Sequence, residues 1–102
     1  MIFRRSKYAA VIDAQLDLFL REHRDVLEDV ATRLERYNAA ERDEAEELYG
    51  DYVDAVETGT ELLADLRDNY AQTLEDPDPY LRDFNRAVAK RLPEYALEIE
   101  NR

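Results

Sequence analysis

Tyr8, Ile12, Leu16, Phe19, His23, Val26, Val30, Leu34 and Tyr37 follow one another at steps of three or four residues. Such steps keep one face of an α-helix turned inward, because about 3.6 residues complete a turn. Leu20, Leu27 and Ala31 widen this stripe, while Asp17, Arg21, Arg24, Glu28 and Glu35 occupy other faces. The pattern predicts an amphipathic helix over roughly residues 7–37. A second stripe, Ala45, Tyr49, Tyr52, Val56, Gly59, Leu63, Leu66, Tyr70 and Leu74, is flanked by Leu48, Val53 and Leu62. It predicts a helix over about 43–75 that stops before Pro77 and Pro79, since proline lacks the N–H a helix interior needs. A third stripe of Leu81, Phe84, Val88, Leu92, Tyr95 and Ile99 predicts a helix over about 79–92, with Asp78 as its cap. Pro93 breaks it and leaves a short helix over about 94–100.

No proline or glycine separates the first two stripes, and helical steps from Tyr37 land on Glu41, Ala45 and Leu48. A continuous rod from Tyr8 to Leu74 would therefore keep its seam nearly in phase, at roughly 100 Å long, and would need a partner along its length. Charge order favours a turn. Arg33 and Arg36 precede Asn38, and Glu41, Asp43, Glu44, Glu46 and Glu47 follow it, which matches the sign preference of a helix end followed by a helix start. Asn38-x-x-Glu41 and Asp43-x-x-Glu46 have capping-box spacing, and asparagine tolerates the left-handed conformation that closes many helices. The expected fold is all-α: an antiparallel helical hairpin plus a shorter third helix, three-helix bundle-like, with residues 1–6 as a basic tail. A turn near residue 40 sets Phe19 near Leu62, Val30 near Tyr49 or Tyr52, and His23 near Val56 or Gly59.

Composition sharpens this picture. Two glycines and three prolines are too few for a turn-rich β fold. The chain has no cysteine, which excludes disulfides, thiolate metal sites and cysteine nucleophiles. Asp13 and Asp17 interrupt the first apolar run, so neither a signal segment nor a membrane span is expected there, and the chain is expected in the cytoplasm. Twenty-five acidic against fourteen basic residues give a formal charge of −11, which repels nucleic acid and anionic membranes.

Candidate chemistry is sparse. His23, the only histidine, is expected as a buried polar residue of the core, with Glu57 or Thr60 as hydrogen-bond partners. The carboxylate pairs Glu22/Asp25, Glu44/Glu47, Asp51/Asp54 and Asp65/Asp68 have the spacing that lets one helix face hold Mg²⁺, with Arg67 or Arg24 available for a phosphate. In so acidic a chain such pairs also arise by chance, as solvated faces. The cluster Phe3–Lys7 is the one basic run, beside the acidic Leu74–Asp78 in a hairpin, and Ser6 can cap the first helix. No cofactor and no catalytic residue is indicated. The expected role is a non-catalytic protein–protein interaction or regulatory module that self-associates. The seam left open by a short third helix, Leu48, Tyr52, Val53 and Leu62, would be its interface. The alternative is a divalent-metal-dependent hydrolase or metal binder using the helix-borne acids.

Overall fold

A computed structural model describes residues 7–102; the basic tail, and Ser6 as a cap, lie outside the described residues. The described chain is all-helical, with no strand among the described residues. Its elements are α1 (Ala9–Glu22), α2 (Arg24–Asn38), α3 (Ala45–Ala71), α4 (Asp78–Arg91), a 3-10 turn (Pro93–Tyr95) and α5 (Ala96–Glu100). Five α-helices thus replace the expected three and their short extension.

The main departure is at His23, where φ −121° and ψ 35° take one residue out of helical geometry and split the first stripe into two helices. The amide of His23 still closes α1 on the Phe19 carbonyl at 2.9 Å, and its own carbonyl accepts from Val26 and Leu27 to open α2. Neither proline nor glycine marks the place. The bend has a tertiary cause. Tyr80, Phe84 and Val88 of α4 are all 0 % exposed and must be covered from more than one side. α4 packs against both α3 and α1, and Ile12, Leu16 and Phe19 of α1 are buried in the same core. Enclosing each such side chain is worth about 1.5–3 kcal/mol, ample to set the path of one residue.

α2 ends at Asn38, residues 39–44 belong to no helix, and α3 begins at Ala45, so the rod of the alternative reading is not formed. The turn is not built as its sequence suggests. No described non-glycine residue has positive φ, so Asn38 does not close α2 in the left-handed region. Glu44 precedes α3 without a side-chain cap, and Asp43 does not serve as one. The turn relies on backbone bonds, Ala40 N–H to Tyr37 O at 3.1 Å and Glu44 N–H to Glu41 O at 3.0 Å. Pro77, not Asp78, is the residue preceding α4.

α2 packs on the amino-terminal half of α3, where Arg33 Nη1 donates to the Asp51 carbonyl at 2.8 Å and Tyr37 meets Tyr49 at 5.2 Å between ring centroids. α4 packs on the carboxy-terminal half, joined by Tyr70 against Tyr80 at 4.8 Å. α1 lies on α4, with Tyr80 Oη donating to Gln15 Oε1 at 2.9 Å and Arg91 Nη2 donating to Asp17 Oδ1 at 2.7 Å. The start of α1 and the end of α3 share a cleft lined by Lys7, Tyr8, Leu74, Glu75 and Asp76.

Two buried features tie the carboxy-terminal segment down. Arg67, 3 % exposed, donates from Nε to Asp68 Oδ1 at 2.8 Å, and from Nη1 to Asn85 Oδ1 and to the Ile99 carbonyl, each at 3.0 Å. One guanidinium thus joins α3, α4 and α5. The ring of Tyr95, 0 % exposed, fills a notch over Gly59 that a Cβ would obstruct. The side chain that Gly59 accommodates is therefore that of Tyr95.

Candidate interaction surface

α3 outruns its cover. Twenty-seven residues of α3 span about 40 Å, whereas α4 has fourteen residues and α5 only five. The carboxy-terminal half of α3 is enclosed by α4 and α5. Nearer its amino terminus one face meets α2, and another opens into a cleft between α3 and the segment after Pro93.

The cleft encloses about 210 Å³. Its apolar lining is Tyr49, Tyr52, Val53 and Val56 from α3 and Leu97 from α5. These α3 positions are spaced by helical steps, so one face presents them together. Tyr52 stands 6.2 Å from Tyr49 between ring centroids, which continues the aromatic row begun by Tyr37. Leu97 is 73 % exposed and Tyr49 50 % exposed. The remaining lining residues are Glu57 on α3, Glu94 on the 3-10 turn and Glu98 on α5, so carboxylates flank the apolar strip on both walls and no cation lines it.

Two of the four expected interface residues, Tyr52 and Val53, line this cleft; Leu48 and Leu62 do not. Leu62 is partly buried against the core, and Leu48 is half-buried elsewhere on α3. Tyr49 and Leu97 escaped the sequence reading. Tyr49 sits on the second stripe and passes for core. Leu97 carried a usable signal, because it falls off the stripe formed by Leu92, Tyr95 and Ile99, and an apolar residue on the outer face of a short helix has nowhere to hide.

The other candidates are placed as follows. His23 is half-buried at the α1–α2 junction, its ring 5.2 Å from that of Phe19, so it is not the enclosed core residue expected. The hydroxyl of Thr60 donates to the Val56 carbonyl at 2.8 Å, and Glu57 is exposed on the cleft. Glu22, Asp25, Glu44, Glu47, Asp51 and Asp54 are all exposed. Among the described residues no three acidic or histidine side chains converge as ligands for a metal ion. Arg67, named as a phosphate-binding base, is enclosed and committed to three internal acceptors, which removes it from that role; Arg24 is exposed. No helix among the described residues is long and apolar enough to cross a membrane.

Two buried tyrosines have displaced acidities. Burial pushes the Tyr80 hydroxyl up to about 12, against the lowering effect of its bond to Gln15. Burial, reinforced by Glu94, pushes Tyr95 up to about 12 as well. Tyr95 Oη has no hydrogen-bond partner among the described residues. Both groups stay protonated at neutral pH and serve packing.

No family model, no curated protein and no solved structure matches this chain. What it does is therefore read from its own surface.

Proposed function

We propose that this chain is a non-catalytic protein-interaction module. In this reading α2 and α3 form a helical hairpin, α4 and α1 brace it in a bundle-like arrangement ended at Pro93, and the Tyr49–Leu97 cleft is offered to another polypeptide. The observation that carries the reading is the convergence of exposed apolar side chains. Leu18, Tyr49 and Leu97 are the exposed large hydrophobic residues among those described, and two of the three share one cleft. Single exposed leucines need no explanation, but a contiguous apolar strip rimmed by polar groups is the usual mark of a contact surface. Tyrosine suits such a strip, because it buries a large rigid face and keeps a polar tip.

The occupant in this reading is either a second copy of this chain or another polypeptide. The metal-dependent alternative has no comparable observation behind it, and the charge of −11 keeps nucleic acid and anionic membranes out of the reading. A photo-crosslinking residue at position 97, compared in cells with the same residue at exposed position 35 on α2, tests it. The expected result is a discrete protein adduct, with a second copy or another chain, that forms from position 97 alone and is lost on Tyr49→Glu. Equal adducts from both positions, or none from 97, would remove the proposal.

A further inference from the structure

We infer that the occupant of the cleft is a basic amphipathic helix of a different polypeptide, one that inserts a bulky apolar side chain between Tyr49 and Leu97 and sets Lys or Arg on either flank. This rests on the interaction reading above and names the partner's chemistry. The apolar strip supplies the anchor site, since about 210 Å³ takes a single large side chain and little more. The charges supply the selection. Glu57 rises from the α3 wall and Glu94 and Glu98 from the opposite wall, so an entering segment passes between carboxylates with no cation to neutralise them inside the cleft. A helix carries side chains three and four positions from its anchor to both sides of the groove, which matches acids on both walls.

A second copy fits less well. An isologous contact sets the same patch against itself, so Glu57, Glu94 and Glu98 of one copy would face a cleft that offers carboxylates and no cation in return. Each molecule also brings a net charge of −11 to that encounter. The same field that opposes self-pairing attracts a cationic segment and steers it to the acid-lined walls.

Two synthetic helical peptides with one shared apolar face, one carrying Lys and Arg on its polar positions and the other Glu, test the inference by fluorescence anisotropy on the full chain. The basic peptide is expected to bind at least about tenfold tighter, and to weaken severalfold when salt is raised to about 0.3 M. Leu97→Asp should abolish its binding, and the triple change Glu57→Lys, Glu94→Lys, Glu98→Lys should erase or invert the preference. Glu57 and Glu94 are exposed, Glu98 half-exposed and Leu97 largely outside the core, so these variants should keep the wild-type melting curve. Equal binding of both peptides, lost on Leu97→Asp, overturns the charge selection and leaves the interaction face standing. Basic-peptide binding indifferent to all four substitutions reflects the acidic surface at large and overturns the inference. So does failure of both peptides to bind. A dimer seen in sedimentation and dissolved by Leu97→Asp names a second copy as occupant, which overturns this inference while the interaction reading survives.

Discussion

Replacing Gly59 by alanine sets two sizeable effects against each other, and the geometry decides between them. In an unobstructed helix interior the exchange gains about 1 kcal/mol, because alanine gives up less backbone freedom than glycine. At position 59 the new methyl carbon lies 2.6 Å from Tyr95 Oη and 2.7 Å from Cζ, with Cε1 in closer contact still. Carbon atoms rest about 3.5–4 Å apart, so the ring must retreat by roughly 1 Å. It has little room to do so. Tyr95 is 0 % exposed, and about one turn of chain beyond it is pinned by the Ile99 carbonyl on Arg67. Overpacking of this kind costs about 1–3 kcal/mol, and a rigid enclosed ring belongs at the upper end. The net expectation is a loss of about 1–2 kcal/mol, which lowers the melting temperature by about 5–15 °C for a domain of this size. Urea and thermal unfolding followed by circular dichroism would measure it. A control background makes the test sharp: with Tyr95→Leu the ring is gone, and Gly59→Ala should change sign and stabilise by about 1 kcal/mol. If Gly59→Ala raises the melting temperature of the wild-type chain, the notch explanation is wrong.

Arg67→Met keeps length and apolar volume but removes the donors to Asn85 and the Ile99 carbonyl; it should cost about 2–3 kcal/mol, and hydrogen exchange should show α5 losing protection before α2. Arg67→Lys should not restore it, because an ammonium lacks the planar fork that reaches three acceptors at once. Alkaline titration tests the buried tyrosines. Tyr80 and Tyr95 ionise near 10.0 when unfolded and at about 12 when folded. The unfolded chain therefore releases these protons first, and the stability they contribute is whole below pH 10 and declines between about pH 10 and 12, by about 3 kcal/mol each. Denaturant midpoints across that range should fall steeply for wild type and about half as steeply for Tyr95→Phe; a flat profile would contradict the burial argument.

The helical class was open to reading because it depends on local steric rules. A seam recurring every three or four residues admits one backbone, and Pro77 and Pro79 fall where α4 begins, the one part of a helix that tolerates proline. The same rules placed the reversal after Asn38 through charge order, although its caps were misjudged: backbone bonds alone suffice in an exposed turn. That Tyr52 and Val53 stay only partly covered was legible, because a short third helix cannot cover a long second one.

Tertiary packing decided the rest. The bend at His23 has no local signature, since that residue's backbone is acceptable in a helix or out of it; the need to enclose Tyr80, Phe84 and Val88 from two sides made the choice. Gly59 announced a close approach, yet its partner, Tyr95, depended on where the segment after Pro93 came to rest. Arg67 reads as a surface base until three elements close around it. Tyr49 and Leu97, with the acids beside them, became one surface only when α5 docked on α3. Periodicity tells a residue which way it faces within its own helix, and only the packing of helices determines what, if anything, lies opposite.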